Sequence, residues 1–169
     1  MVKKLLLIAA LVARMFASAQ KIAVVNSKAI FEVMPEKVSA ENKLNGLLAK
    51  YNEENSKLEK EFNQKYSEYQ ALDESIPKSI KARRIQEIQE NQQKISSYQQ
   101  MVEQDMKLKR AELLDPIKSR IQSVIDSIGE EAGYSLIFDV SITPVAFKGA
   151  DTNDITQEVK TRLGLKKKL

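Results

Sequence analysis

The sequence predicts an α+β protein, in which a long antiparallel helical coiled-coil hairpin is inserted into a small β-body. Two long polar segments, 35–72 and 78–128, carry apolar residues at spacings of three and four, as coiled-coil helices do. Short β-branched runs flank them at 21–26 and 134–140. Because these strands come from opposite ends of the helical region, the hairpin is expected to interrupt the body.

A secretory leader is predicted at the start of the chain. A positively charged start precedes an apolar run over 5–13, and Ala17–Ala19 has the small side chains of a cleavage site. We expect cleavage after Ala19, which makes 1–19 a signal peptide. No later apolar run approaches the roughly 20 residues that span a bilayer, so we expect a soluble protein in the periplasm.

The composition argues against several classes of function. The chain has no Cys and no His, which removes the usual zinc ligands, a thiol nucleophile and a Ser-His-Asp triad. It also lacks a GxxxxGK[ST] phosphate-binding loop. We therefore expect no enzyme activity, no cofactor and no metal. Of the 27 basic residues, Lys3, Lys4 and Arg14 leave with the leader, so basic residues nearly balance the 23 acidic ones. That balance argues against a histone-like nucleic-acid binder.

The body begins with a strand predicted over Lys21–Asn26, and Ser27 is expected to cap a short helix after it. Pro35 interrupts that helix and can begin the first long helix, which is predicted to run to about Leu72. The tip of the hairpin is placed near 73–78, where a proline breaks the helical pattern.

Polar residues interrupt the coiled-coil seam of both long helices. Asn55 and Lys65 fill seam positions of the first helix, and Gln92 and Gln99 fill positions of the second. Such interruptions favour a flexible arm. A continuous, strongly apolar seam would instead favour a structural coiled-coil adaptor of the cell envelope, which is the alternative function.

From Leu113 onward the apolar content of the second helix rises, so its C-terminal end is expected to pack in the body. Gly129 and Gly133 are its stop signals. A second strand is predicted over Tyr134–Val140 and a third over Ile142–Lys148. A capping box of Asp154 and Gln157 is expected to open a last short helix, Ile155–Leu163, before a solvated tail at Lys166–Lys168.

Three strands and their covering helices make a body that rarely supplies more than about 3–5 kcal/mol by itself. Its strand edges would also be exposed, so oligomerisation through the sheet is expected. The residues predicted for the body core and the oligomer interface are Ile22, Val24, Ile121, Val124, Ile128, Leu136 and Phe138. The predicted organisation has a leader (1–19), a first part of the body (20–34), the hairpin (35–133) and a second part of the body (134–169).

Taken together, these segments resemble the Skp/OmpH-like family of periplasmic chaperones over nearly the whole mature chain. The resemblance rests on Lys21–Asn26, Leu114–Ile117, Ile121–Ile125, Gly133–Asp139, and Asp154–Thr156 with Val159 and Lys160. It implies a homotrimer with a β-barrel body and three helical tentacles around a cavity. Unfolded outer-membrane β-barrel proteins would be held there without ATP, which prevents their aggregation.

A cluster at the tip of the hairpin is a candidate contact for a client or an anionic lipid: Ile76, Lys78, Lys81, Arg83 and Arg84. The plainer alternative is a simple turn followed by a solvated helix start that happens to be basic.

Two further sets of residues on the arms are candidates. Tyr66, Tyr98 and Met101 lie off the main apolar spacing and could face the cavity, or could broaden the seam. Lys109 and Arg110 resemble a basic pair that some family members are thought to use against lipopolysaccharide. Where the family pattern has a further basic residue about three turns earlier, this chain has Tyr98.

Overall fold

The computed structural model describes residues 21–165, so the predicted leader and the basic tail at Lys166–Lys168 lie outside the described residues. Along the described chain the elements are β1 (Ile22–Val25), α1 (Ser27–Phe31), α2 (Pro35–Gln70), α3 (Lys78–Ala132), β2 (Leu136–Asp139), β3 (Asn153–Asp154) and α4 (Thr156–Arg162).

The protein is mostly helical with one small sheet, which confirms the broad α+β prediction. The helices α2 and α3 contain 36 and 55 residues. The described chain divides into two compact units. The hairpin unit is Pro35–Pro116, and the body unit consists of residues 21–34 and 117–165. Helix α3 is continuous through Pro116, and it contributes residues to both units.

The sheet is parallel, with β1 in the centre and the strand order β2-β1-β3. Ala23, Val24 and Val25 are all buried, as expected for a central strand of β-branched and small residues in a parallel sheet. The strand predicted at the start of the body is therefore confirmed. β2 and β3 each have β1 as their neighbour.

The prediction of a third strand over Ile142–Lys148 is wrong. After β2 the chain turns, and Thr143 N donates to Asp139 O at 2.9 Å. Phe147 is 85% exposed and lies in irregular structure. Two facts explain the difference: Pro144 has no N–H to donate to a ladder, and Asn153–Asp154 takes the second edge of β1 instead.

The N-cap of α1 is Asn26, and the prediction that Ser27 caps this helix is wrong. Asn26 Oδ1 accepts from Ala29 N at 2.8 Å, which satisfies one of the free N–H groups at the helix start. The Ser27 hydroxyl is instead bonded to the carboxylate of Asp139 at the end of β2. A partner 112 residues away thus decides which of two adjacent capping residues is used.

Helix α3 ends at Gly133, whose φ of 65° is the left-handed conformation that glycine adopts without a steric cost. Tyr134 N donates to Gly129 O at 2.9 Å and closes the last turn. The other predicted stop signal, Gly129, lies inside the helix. A Cβ at this position would come within 3.2 Å of Ile137 Cδ1, so glycine allows the helix and β2 to approach closely.

Helix α4 begins close to the predicted position, but the predicted capping box is wrong, because the N-cap is Ile155 and its side chain makes no capping bond. Asp154 Oδ1 accepts from Thr156 N at 3.0 Å, one residue before the expected Gln157. Asp154 is the last residue of β3, so this bond links the end of the strand to the start of the helix. The largest fully buried side chains of the body unit are Val25, Ile30, Met34, Ile128, Ile155 and Val159.

Candidate functional site

Exposed apolar and charged side chains are the features of this molecule most suited to binding. Within residues 21–165, no three His, Cys, Asp or Glu side chains come together as a metal site requires. Nor does any helix in that range have the length and hydropathy of a membrane span. The largest exposed apolar side chains of the hairpin unit are Val38, Leu48, Tyr66, Ile80, Ile85, Met101 and Leu108.

Three polar side chains of α3, one heptad apart, contact α2 in the hairpin unit: Asn91, Tyr98 and Asp105. We call them the polar ladder. Tyr98 Oη donates to the backbone oxygen of Tyr51 at 3.4 Å, and Tyr51 Oη donates to the Asp105 carboxylate. Lys65 Nζ donates to Asn91 Oδ1 at 3.3 Å. The bond to Asp105 raises the pKa of Tyr51 above its ordinary value. The pairing of α2 with α3 therefore depends substantially on hydrogen bonds.

The apolar part of the same seam is thin. The buried apolar side chains of the hairpin unit are Ala40, Leu44, Leu58 and Leu114. Between Leu58 and the first turn of α3, no apolar side chain is buried, although all of these residues are described. The next buried residue along the chain after Leu58 is Asn91, at 8% exposure. The prediction that Gln92 fills the seam is wrong, because Gln92 is exposed and its neighbour is buried.

The three side chains predicted to face a cavity have different surroundings. Tyr66 is 45% exposed and stacks on Phe62, with ring centroids 6.1 Å apart. Met101 is 47% exposed. Tyr98 is half-buried, and its ring meets that of Tyr51 edge-on at 6.4 Å. Tyr98 thus contacts Tyr51 of α2, whereas Tyr66 and Met101 are accessible.

The tip of the hairpin is an ordered turn between α2 and α3. Ile76 N donates to Asp73 O at 3.2 Å, and Ile76 is half-buried. Lys81 Nζ reaches back across the turn to Glu74 O at 3.4 Å. Lys78, at the first position of α3, is exposed. The structure therefore brings the predicted tip residues into one region of the hairpin unit.

Arg83 and Arg84 share one acidic partner. Arg83 Nε lies 3.2 Å from Glu87 Oε1, and Arg84 Nη1 lies 2.9 Å from Glu87 Oε2. The hydrogen bond from Arg84 is the main reason that the pKa of Glu87 lies below its ordinary value. Both guanidinium groups are partly neutralised, which leaves the tip less basic than the sequence suggests.

Lys109 and Arg110 are adjacent in α3. Lys109 Nζ pairs with Glu112 Oε2 at 2.7 Å, and this bond raises the pKa of Lys109. Lys109 is half-buried, while Arg110 is exposed. In the predicted lipopolysaccharide contact, Lys109 is therefore paired with an acidic residue, whereas Arg110 is exposed.

One face of the sheet carries exposed apolar residues. Ile22 pairs with Leu136 and Val24 pairs with Phe138, so all four side chains point to the same face. Val24 is buried at 2%, but Ile22, Leu136 and Phe138 are 40%, 47% and 38% exposed. We call these three residues the open sheet face. The remaining predicted core residues lie on α3, with Ile121 and Ile128 buried and Val124 half-buried.

Asp139 was not among the residues predicted from the sequence. Its carboxylate accepts from Ser141 N at 3.0 Å, Ser141 Oγ at 2.7 Å and Ser27 N at 3.2 Å. Ser27 Oγ provides a further short bond. Asp139 thereby fastens the start of α1 to the end of β2. A hint lay in the sequence, since Asp139 and Ser141 have the spacing of an Asx turn.

Comparison with known proteins gives consistent similarities. A family model described as outer membrane protein (OmpH-like) matches residues 21–163. A chaperone protein Skp from Yersinia enterocolitica is 27% identical over 152 residues, which cover 89% of this chain and 93% of that protein. A chaperone protein Skp from Pectobacterium atrosepticum is 26% identical over 144 residues, covering 85% of this chain and 87% of that protein.

A solved structure has a similar fold. It is an OmpH-like outer membrane chaperone from Caulobacter crescentus CB15, with a TM-score of 0.68 and 12% sequence identity. The alignment covers 86% of this chain and 85% of that one. At this identity the likeness shows the fold, which is two long helices combined with a small sheet.

Proposed function

Because the chain belongs to the OmpH-like outer membrane protein family, we propose that it is an ATP-independent holdase chaperone for unfolded outer-membrane β-barrel proteins. The relatives named chaperone protein Skp support the chaperone class. A holdase acts by mass action: it binds the unfolded chain and not the folded one, which lowers the concentration of free, aggregation-prone chains. This activity needs neither a cofactor nor a catalytic residue.

One observation carries the proposal most directly. The hairpin unit exposes large apolar side chains to solvent: Leu108 is 68% exposed, Met101 47% and Tyr66 45%. A flexible thioether and an aromatic ring can adapt to many apolar partners. Several weak contacts of this kind give avidity without sequence specificity, which suits a protein that must hold many different unfolded chains.

We further propose that three copies assemble through the body unit into a β-barrel, with the hairpins as arms around a client cavity. Three features support assembly of copies. The open sheet face is apolar, β2 and β3 each leave one edge without a strand, and the body unit is small. The number of three copies and the β-barrel are proposed only from the resemblance to the Skp/OmpH-like family.

The proposed place of action is the periplasm. It rests on the leader predicted over 1–19, with cleavage after Ala19, and on the family. The proposed division of the mature chain keeps the hairpin at 35–133, with the end of α3 from about 113 belonging to the body.

Two contacts remain part of the proposal on electrostatic grounds. Ile76, Lys78, Lys81, Arg83 and Arg84 at the tip would meet an acidic loop of a client or an anionic lipid headgroup. Arg110, which is exposed, and its neighbour Lys109 would meet lipopolysaccharide. Because Arg83 and Arg84 share Glu87 and Lys109 pairs with Glu112, we expect each contribution to be modest and reduced by salt.

The test is an aggregation assay. A urea-denatured outer-membrane barrel protein is diluted into buffer without ATP, and light scattering is followed with and without excess chaperone. We expect the wild-type protein to suppress scattering. The double variant Met101→Ser, Leu108→Ser should bind the client roughly tenfold more weakly, because it removes apolar surface from one face of α3.

The matched control is Gln93→Ser, Gln104→Ser, which changes two exposed polar residues of the same helix. It should suppress scattering as the wild type does. Unchanged aggregation at an excess of wild-type protein would refute the holdase function. Equal behaviour of the two double variants would refute the role of the exposed apolar residues alone.

A further inference from the structure

The Asn91 rung of the polar ladder lies in a cluster of charged and amide groups between α2 and α3. Lys65 Nζ lies 2.9 Å from Glu61 Oε1 and 3.3 Å from Asn91 Oδ1. Lys94 Nζ lies 4.0 Å from the other oxygen of Glu61. The hydrogen bond from Lys65 lowers the pKa of Glu61. At this level polar groups bridge the two helices, and the nearby Ile88 and Ile95 are only half-buried.

Asn91 is the weak point of that cluster. Its side chain is 8% exposed, and Nδ2 has no hydrogen-bond partner of regular geometry among the described residues. A buried donor without a partner destabilises the structure that buries it. The cluster therefore fixes how α2 and α3 align, because any shift would move Asn91 away from Lys65, but it contributes little to keeping them together.

The two halves of the hairpin unit differ in what holds them. Toward Pro35 the helices bury Ala40, Leu44 and Leu58, and Tyr51 bonds to the ladder. In residues 59–94 no apolar side chain is fully buried, and Phe62, Tyr69, Leu72 and Ile88 are half-buried. We call residues 59–94 the distal arm. The α2 part of the distal arm, residues 59–70, is short enough that without contact to α3 it would be marginally stable in water.

We infer that the distal arm is a separately opening segment: its two helices part and unravel together at the Asn91 cluster, while the half that contains Leu44 and Leu58 stays paired. Opening of this kind is expected where few apolar contacts hold an otherwise regular element. The inference concerns the protein alone and does not depend on the proposed function.

Hydrogen exchange of the purified protein, followed by mass spectrometry of peptides, tests the inference. Amides of the distal arm should exchange at least tenfold faster than those of residues 38–58. Asn91→Leu removes the unpaired buried donor and adds apolar contact, so it should slow exchange in the distal arm roughly tenfold and leave residues 38–58 unchanged.

Gln92→Leu is the matched control, since it adds the same side chain one residue away at an exposed position. It should leave exchange in the distal arm as in the wild type. Equal exchange in both halves of the wild-type hairpin unit would overturn the inference. So would an Asn91→Leu protein that exchanges like the Gln92→Leu protein.

A second measurement detects parting of the helices directly. The chain has no Cys, so spin labels can be attached to pairs of introduced cysteines without background. A pair at Glu68 and Glu90 reports on the distal arm, and a pair at Lys50 and Lys107 on the other half. The distal distance distribution should be the broader of the two and should narrow with Asn91→Leu; two equally narrow distributions would contradict the inference.

Discussion

At the scale of single residues, Asp139 at the end of β2 joins this strand to the start of α1 and to the turn at Ser141. Its carboxylate accepts bonds from the backbone and hydroxyl groups of both Ser27 and Ser141. Burial alone would raise the pKa of Asp139. The hydrogen bonds from Ser27 and Ser141 outweigh burial and hold the pKa below its ordinary value. Asp139 therefore stabilises the body unit in its charged form.

We expect Asp139→Asn to lower the free energy of unfolding by about 1–2 kcal/mol at pH 7, because hydrogen bonds to a charged acceptor are replaced by weaker ones. A carboxylate with a lowered folded-state pKa stabilises the fold above its unfolded pKa of about 3.9, and this contribution is lost as the pH falls through the folded-state value. The difference between wild type and variant should thus be full above about pH 5 and shrink toward about pH 3.

Urea unfolding at several pH values and one fixed protein concentration measures this difference. Asp151→Asn, at an exposed position, is the control and should change stability by less than about 0.5 kcal/mol. A pH-independent difference, or equal effects of the two substitutions, would show that Asp139 does not act through its charge.

Residue-level predictions from the sequence succeeded where the deciding interactions are local. Gly133 ends α3 because its own φ is positive, and a sequence pattern can anticipate that. Ser27 and Gln92 were assigned wrongly for a different reason. Each has a neighbour of similar chemistry, Asn26 and Asn91, and only contacts from distant parts of the chain decide which of the two is used.

At the scale of elements, two glycines in open space allow a paired prediction. Gly46 lies inside α2, and no atom would lie within 4 Å of an added Cβ. The same is true of Gly133, but its φ is +65°. We expect Gly46→Ala to stabilise the protein by about 0.5–1 kcal/mol through helix propensity, and Gly133→Ala to destabilise it by about 1–2 kcal/mol through left-handed strain.

The measurement is the urea midpoint of both variants against wild type, with helicity followed by circular dichroism. Shifts of opposite sign are expected, since neither substitution meets a side chain and only backbone conformation distinguishes them. Two shifts in the same direction would mean that Gly133 does not hold the left-handed conformation in solution.

The long helices could be predicted closely because their pattern repeats over many turns, and α2 and α3 begin at the expected Pro35 and Lys78. The strands were harder. Ile142–Lys148 has a strand-like composition, yet the edge of β1 is taken by Asn153–Asp154, which has none. Pairing in a sheet depends on which segment reaches the edge, and short-range propensity does not contain that information.

At the scale of the whole molecule, the order of short segments around a hairpin carried more information than any one motif. The resemblance built on them agrees with the family match over residues 21–163. The surroundings of single side chains on the arms were less predictable: Tyr98, a candidate for the cavity, has its ring edge-on against that of Tyr51 in α2. A shift of one residue changes which side of a helix faces its partner. The contacts of a long polar helix therefore cannot be predicted before its pairing with the other helix is known.

Assembly through the open sheet face gives the last prediction. In solution the wild-type protein should sediment with three times the mass of one chain. Leu136→Glu places a charge on the open sheet face, and burying that charge against another copy would cost several kcal/mol. The variant should therefore sediment largely as single chains at micromolar concentration.

Val33→Glu is the matched control, because Val33 is an equally exposed apolar residue of the body unit, at 49%, and lies outside the sheet. It should leave the mass unchanged. Retained helicity in both variants separates lost assembly from lost folding. If the wild type is a single chain, or if Leu136→Glu and Val33→Glu sediment alike, the open sheet face is not the surface through which copies meet, and the exposed Ile22, Leu136 and Phe138 need another partner.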